Sequence, residues 1–300
     1  MTLIECIPNF SEGRRPEVIE EIGAAVASVD GVHLLDVQSD ATHNRCVVTF
    51  VGHEGPIAEA AFRGIQTAAA LIDLNEHEGA HPRFGAADVV PFVPLRSEDA
   101  PLCVDVARVL ARRVAAELEI PAFLYEDAAC VPEHRNLAVI RGKGFEELRE
   151  VIATDPARRP DEGAPRVHPT AGAVAIGARF PLIAFNVNLD SGDLELAQRI
   201  AREIRERDGG LPCVKAMGLT LDDGAVQVSM NLTDYRVTSM ADVVGALGAR
   251  AAAAGVVIRE SEGVGLLPQD ALVRLAKEAL YATGLSREQV LEARVLDTLL

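Results

Sequence analysis

Leu182-Ile183-Ala184-Phe185-Asn186-Val187-Asn188-Leu189-Asp190-Ser191-Gly192-Asp193 opens the part of the chain that decides the fold. Apolar and polar residues alternate as far as Leu189, the two-residue period of a strand with one covered face. Asp190 to Asp193 then supply turn formers and a helix N-cap, so the spacing predicts a strand over 182–189 and a helix to about Arg207. Two β-rich runs follow, 214–221 and 225–232, joined by Asp222-Asp223-Gly224, a strong hairpin signal. Met240, Val243, Val244, Leu247 and Ala251 recur at helical spacing until Gly255 stops the helix, and a last strand is expected over 256–261. The order is βαββαβ, the split-βαβ or ferredoxin-like arrangement of an antiparallel sheet with two helices on one face.

Working outward, the N-terminal part repeats this order without establishing a sequence repeat. A strand over 2–8 leads to a helix over 16–28, where Pro16 suits the first turn and Gly31 marks the exit. Strands are expected over 32–37 and 45–52, then a helix over 56–71 and a strand over 89–93. A helix over 100–118 and a strand over 122–125 extend the sheet. The tail reads as two short amphipathic helices, 269–282 and 287–299, the second capped by Ser286, covering a sheet or dimer surface. The expected architecture is α/β (α+β) with two subdomains, 1–177 and 178–300, each an antiparallel or mixed sheet with helices packed on it.

Composition narrows the function. With 49% hydrophobic residues the chain can bury a large core, and its apolar runs fall far short of the roughly 18 residues a membrane span needs. The N-terminus lacks the basic and small-residue features of a signal peptide, so the cytoplasm is the expected setting. A formal net charge of −16 would repel a phosphate backbone, which speaks against nucleic acid as a partner. Cys6, Cys46, Cys103, Cys130 and Cys213 form no Cys-x-x-Cys pair and are expected to be buried thiols rather than disulfides or zinc ligands.

Periodicity vanishes in two places, 73–87 and 155–172, and irregular stretches of this length inside a compact domain are usually functional or disordered. The first contains His77-Glu78-Gly79-Ala80-His81-Pro82-Arg83-Phe84-Gly85-Ala86. Histidines four apart on a helix could bind a metal, but Gly79 and Pro82 break any helix there. A loop histidine satisfied by backbone is one reading; the other is an imidazole presented in a fixed place, because Pro82 stiffens the chain beside His81. His43-Asn44-Arg45, preceded by Asp36 and Asp40, reads equally as a hairpin turn or as part of a site. Asn9-Phe10-Ser11-Glu12-Gly13 reads as a cap and turn or as a ligand contact. The second irregular stretch holds Arg158, Arg159, Arg166 and His168, either as a solvated loop or as local positive potential for an anionic ligand. No phosphate-binding glycine signature, Walker lysine or Gly-x-Ser-x-Gly elbow occurs, so neither a nucleotide nor covalent catalysis is indicated.

Together these motifs resemble a family. Ile4 to Gly13, His43-Asn44-Arg45, His77-x-Gly79-x-His81-Pro82-Arg83 with Gly85-Ala86-x-Asp88, Pro160-Asp161-x-Gly163, Gly177-Ala178-Arg179, Asn186-Val187-Asn188-Leu189 and Gln227 to Leu232 are similar to glutamate formimidoyltransferase, or formiminotransferase, in the family's order. The resemblance implies a folate-dependent transferase, commonly a homodimer, that moves the formimino group of N-formiminoglutamate to N5 of tetrahydrofolate in histidine degradation and one-carbon metabolism. Tetrahydrofolate is then a co-substrate, with no metal or nucleotide expected. Some relatives carry a cyclodeaminase domain as well; with the chain ending at Leu300, that second activity is expected to be absent. Carried over by motif, the catalytic histidine falls on His81. The folate-binding segment falls on Gly163, Ala164, Pro165, Arg166, Val167, His168, Pro169, Thr170, Ala171 and Gly172. Glu162 and Ala164 stand where Phe and Pro are more typical. Arg83 is expected to hold a substrate carboxylate, and Asp40 or Asp36 to orient an imidazole or a cationic amidine. Transfer of a formyl group from 5-formyltetrahydrofolate, or a folate-binding protein without turnover, would use the same residues.

Overall fold

The computed structural model describes residues 2–41, 43–79, 83–221 and 223–294, and it divides into two compact units, 1–180 and 181–300. In the first unit the elements run β1 (Ile4–Cys6), β2 (Asn9–Phe10), α1 (Pro16–Ala27), β3 (Val32–Asp40), β4 (Arg45–Gly52), α2 (Glu54–Leu71), β5 (Ala87–Pro94), α3 (Ala100–Leu118), β6 (Ala122–Glu126), α4 (Leu137–Arg141), α5 (Phe145–Val151) and β7 (Val174–Ala178). β1 and β2 share one position, each pairing antiparallel with β4 on one side and β5 on the other. The strand expected over 2–8 is therefore two short pieces, broken at Pro8, which has no N–H to give to the ladder. With β3 on the outer side of β4, these strands follow the ferredoxin-like order β3-β4-β1/β2-β5. β7 and β6 then extend the sheet in parallel beyond β5.

β7 was not anticipated from the sequence, and its environment explains why. All five of its residues are buried, so Val174-Ala175-Ile176-Gly177-Ala178 shows neither alternation nor a boundary against the loop before it. α4 and α5 span 5 and 7 residues, too short for a 3.6-residue period to declare itself. Side-chain alternation gives the sheet two faces. Ile4, Cys6, Cys46, Val48, Phe50, Val90, Phe92 and Ile176 join Ile22, Val26, Ile57, Ile65 and Leu110 of the helices in one buried cluster. Glu5, Val93, Gly177 and Tyr125 belong to the opposite face.

The second unit comprises β8 (Ile183–Leu189), α6 (Leu194–Ile204), β9 (Val214–Thr220), β10 (Val226–Leu232), α7 (Met240–Ala253) and β11 (Ile258–Val264), followed by α8 (Gln269–Leu280). Its antiparallel sheet has the order β11-β8-β10-β9, the expected split-βαβ layout. The helices pack on one face through Ile183, Phe185, Val187, Leu189, Val226, Val228, Met230 and Leu232. The other face is rich in amides. Gln227 Nε2 donates to Asn188 Oδ1 at 2.9 Å, Asn188 Nδ2 to Glu260 Oε1 at 3.0 Å, and Asn186 Nδ2 to Glu262 Oε1 at 2.9 Å. The motifs around Asn186 and Gln227 thus form one hydrogen-bonded rank across three strands. α6 ends at Ile204, short of Arg207, and the helix expected over 287–299 begins as a 3₁₀ turn, Arg287–Gln289, capped by Ser286, with helix over 291–294. Cys6, Cys46 and Cys103 are buried, whereas Cys213 is half-buried and Cys130 is exposed, unlike the uniform burial expected.

Among the described residues no helix is long and apolar enough to cross a membrane. α6 lies so close over β9 that a Cβ added at Gly218 would stand 2.5 Å from the Gln198 backbone nitrogen. Gly218→Ala should therefore destabilise the protein by about 1–3 kcal/mol, the usual cost of overpacking, and urea unfolding followed by circular dichroism measures it.

Candidate functional site

The two irregular stretches singled out by the sequence meet. Ala86 N donates to Ala171 O and Ala173 N to Phe84 O, both at 2.9 Å, and Gly85 and Gly172 form a bridge between them. The approach needs both glycines. A Cβ on Gly85 would lie 1.8 Å from Ala173 O; one on Gly172 would lie 2.3 Å from Phe84 O, and Gly172 has φ +72°. Two further bonds fasten the loops, from Leu74 N to Thr170 O at 2.9 Å and from Asn75 Nδ2 to Pro169 O at 3.0 Å.

The N-terminal motif joins the same assembly. Ser11 N donates to Ala86 O at 2.9 Å and Ser11 Oγ to Gly85 O at 2.8 Å. Asn44, in the left-handed region at φ 49°, closes the β3–β4 turn and links it to both neighbours. Its Oδ1 accepts from Gly13 N at 2.8 Å, its Nδ2 donates to Glu78 O at 2.9 Å, and its carbonyl accepts from His77 Nε2 at 2.9 Å. Gly79 lies over this turn, where a Cβ would sit 2.5 Å from His43 O. In the same turn Asp40 takes the His43 backbone N–H at 2.9 Å and the His43 Nδ1–H at 2.6 Å, directing Nε2 of that imidazole outward from the pair. Asp36 lies further back along β3, opposite Thr49.

Arg83 is well anchored. Its guanidinium makes a fork on Glu146, at 2.9 and 2.8 Å, and donates to His77 Nδ1 at 3.2 Å and to the carbonyls of Leu74 and His77 at 3.3 Å. The bidentate geometry expected for a substrate carboxylate is thus already formed with Glu146, a residue the sequence did not single out. His77 accepts from Arg83 on one nitrogen and donates to Asn44 O from the other, so it is a neutral structural tie. His81, with Ala80 and Pro82, lies outside the described residues. The described parts of its loop are fixed on both sides, by Gly79 against His43 and by Arg83 against Glu146 and Leu74. Among the described residues no three His, Cys, Asp or Glu side chains converge to hold a metal ion.

Segment 163–172 is held to the β6 edge from its start. Ala122 N donates to Glu162 O at 3.0 Å, and Asp161 and Glu162 return their N–H groups to Ala122 O. Asp161 also accepts from Leu124 N at 2.8 Å and from buried His134 Nδ1 at 3.2 Å, which explains the Pro160-Asp161 motif structurally. Gly163 has φ +94° and packs over Ala115 and Pro121. Ala164, Pro165, Arg166 and Pro169 are exposed, whereas Val167 and Ala171 are buried. His168, Pro169, Thr170, Ala171 and Gly172 close a tight loop, with His168 N to Gly172 O at 2.8 Å and Ala171 N to His168 Nδ1 at 3.0 Å. A surface cavity of about 410 Å³ is lined by Arg166, His168, Pro169 and the end of α3 at Glu117, Leu118 and Glu119.

The cationic side chains of this stretch differ in setting, with Arg159 and Arg166 exposed and Arg158 buried. Arg158 is buried and donates to the carbonyls of Val139 and Ile140 and to Glu147, fastening the end of α4. Arg166 faces Glu119 at 3.4 Å, and burial lowers the His168 imidazole below its usual pKa, which keeps it neutral.

Glu12, 3% exposed, sets the entry to α1 and carries a pH signature. Burial pushes its carboxyl up, but the backbone N–H groups of Arg14 and Arg15, at 2.8 and 3.0 Å, and the Arg15 guanidinium outweigh this and hold it below its usual value. A depressed carboxyl stabilises the fold above its unfolded pKa, and the contribution is lost as pH falls through the folded value. Glu12→Gln should cost about 1–2 kcal/mol at pH 7, with the difference from wild type closing as pH falls below the ordinary Glu value of about 4.3. Urea unfolding across that range checks it.

The sequence of both units matches known proteins. The formiminotransferase N-terminal subdomain model matches residues 3–179 and the formiminotransferase domain model residues 184–294. A glutamate formimidoyltransferase of Thermoplasma acidophilum is 47% identical over 298 residues, covering 98% of this chain and 98% of its own. One from Streptococcus pyogenes serotype M1 is 43% identical, covering 98% and 99%. The formimidoyltransferase-cyclodeaminase of Mus musculus is 40% identical over 93% of this chain and 53% of its own length. With both units matched at this identity, the chain belongs to the formiminotransferase family.

Proposed function

We propose that this chain transfers the formimino group of N-formiminoglutamate to N5 of tetrahydrofolate, releasing glutamate. The observation that carries the reading is the match to glutamate formimidoyltransferases through both units, motif by motif. The assembly of the motif-bearing segments 9–13, 43–45, 77–79, 83–86 and 163–172 around one ladder supports it. The formimino reading is favoured over formyl transfer because the full-length relatives carry that name.

The chemistry needs proton movement more than a covalent intermediate. The N5 amine of tetrahydrofolate is an uncharged nucleophile at neutral pH and attacks the amidine carbon directly. In the tetrahedral adduct N5 carries a positive charge and must lose a proton, while the glutamate nitrogen must gain one before it departs. One imidazole near its midpoint at neutral pH does both in turn, and His81 is assigned this role on its motif. Asp40, through its pair with His43 beneath Gly79, steadies the turn beside that loop. Arg83, bound to Glu146 and His77, is a positioning residue for the loop rather than a substrate ligand. Gly163 to Gly172 is assigned to the folate, mainly through its constrained backbone and the cavity at Arg166, His168 and Pro169. Tetrahydrofolate is a co-substrate in this scheme, and the setting is a cytoplasmic homodimer, as is common for the family.

Purified protein should turn over formiminoglutamate with tetrahydrofolate, read by the absorbance of the 5,10-methenyltetrahydrofolate that acid forms from 5-formiminotetrahydrofolate with loss of ammonia. His81→Ala should lower kcat by about 10²–10⁴-fold while tetrahydrofolate binding survives. A wild type that binds folate but never turns over would show a binding protein instead. Glu146→Ala, which releases the Arg83 fork, should lower kcat by about tenfold or more, through loss of loop position.

A further inference from the structure

The face of the first sheet opposite its buried helix cluster carries a charge pair that the transfer scheme has not used. Glu5 on β1 is paired with Val93 on β5. The parallel register of β5 and β7 runs Pro91 to Gly177 and Phe92 to Ala178, so Arg179 stands level with Val93, and its N–H donates to Phe92 O at 3.1 Å. Glu5, Val93 and Arg179 therefore form one row. At a strand spacing of about 4.8 Å, the backbones of Glu5 and Arg179 are about 10 Å apart, with side chains on the same side.

The arginine is held in place from the row behind. Tyr125 pairs with Gly177, and a Cβ on that glycine would lie 2.4 Å from the tyrosine ring, so the phenol lies across the glycine. The Arg179 guanidinium is near enough to act on its hydroxyl, and Arg179 donates to Phe180 O at 3.0 Å. These contacts orient the fork without neutralising it. No carboxylate among the described residues comes within 4.0 Å of Arg179. Glu5 feels the arginine even so: burial pushes its carboxyl up and Arg179 draws it back.

N-Formiminoglutamate has the complementary pattern. It is a dicarboxylate whose formimino group is an amidine, more basic than an ordinary amine and cationic at neutral pH. Its α-carboxylate and amidinium hang from the same carbon. We propose that Arg179, presented by Tyr125 across Gly177, binds the α-carboxylate of formiminoglutamate, while Glu5 binds its amidinium. A guanidinium fork matches a carboxylate, and a carboxylate matches the two N–H groups of an amidinium, in bidentate geometry. The assignment rests on the formimino-transfer reading and names the donor subsite for it. It explains why, among the described residues, neither Arg179 nor Glu5 has an ion-pair partner like those of Arg83 and Arg158.

The test uses the full chain. Arg179→Gln and Glu5→Gln should each raise the KM for formiminoglutamate by about tenfold or more, leaving the KM for tetrahydrofolate within about twofold. Arg179→Lys, which keeps the charge and loses the fork, should fall between. Against N-formimino-4-aminobutyrate, which lacks the α-carboxylate, wild type should lose about the same factor and Arg179→Gln should lose nothing further, a pattern that general loosening of the fold would not produce. Calorimetric titration of formiminoglutamate into wild type and variants reads the subsite even without turnover, so failure of the transfer reading and failure of this assignment are separate results. If Arg179→Gln does not fold, Glu5→Gln decides alone. Unchanged donor KM and affinity in the folded variants, or a rise confined to the tetrahydrofolate KM, overturns the proposal.

Discussion

Everything described in the first unit hangs on the approach of two backbones, 84–86 and 171–173, at Gly85 and Gly172. That contact exists because neither glycine has a Cβ where the opposing carbonyl lies, 1.8 Å and 2.3 Å from where the carbons would be. Through it the loop carrying Arg83 is bonded to the loop carrying His168, and Ser11 adds the N-terminal segment by bonding Gly85 and Ala86. A rigid seam of this kind gives irregular chain a fixed address without secondary structure of its own. Loops held in that way are where precise placement of polar groups is feasible.

Arginines divide into two populations by what surrounds them. Arg83 and Arg158 are half-buried or buried and donate to carbonyls and to Glu146 or Glu147, so they act as multi-point fasteners of α4, α5 and the adjoining loops. Arg141 likewise holds Asp88, which also caps Phe84 N at 2.9 Å. Among the described residues Arg179 forms no ion pair, and its guanidinium donates to the Phe180 carbonyl. In a strongly acidic chain the difference matters, because an arginine already matched to a carboxylate offers little attraction to a second one.

Much of this was readable in advance. The second unit's strand and helix order follows from alternation, the Asp222-Asp223-Gly224 turn and the stop at Gly255, because local backbone preference and burial pattern agree there. In the first unit the same logic placed α1, β3, β4, α2, β5, α3 and β6. It failed at β7, where burial on both faces erases the two-residue period, and at Pro8, where one expected strand became two. It also misplaced charge: Arg158 and Arg166 look alike in a sequence, yet one closes a helix end in the interior and the other lies at the surface opposite Glu119.

The sequence by itself determined the element order of the second unit, most of that of the first, and the family, since periodicity, turn chemistry and motif order are local properties that survive without coordinates. Only the tertiary structure decided partners. That Arg83 is bound to Glu146, 63 positions away, that Asp161 holds His134, and that Glu5 stands in one row with Arg179 follow from strand register and loop closure. Those depend on the whole sheet being assembled, and no stretch of chain short enough to carry a local signal contains them.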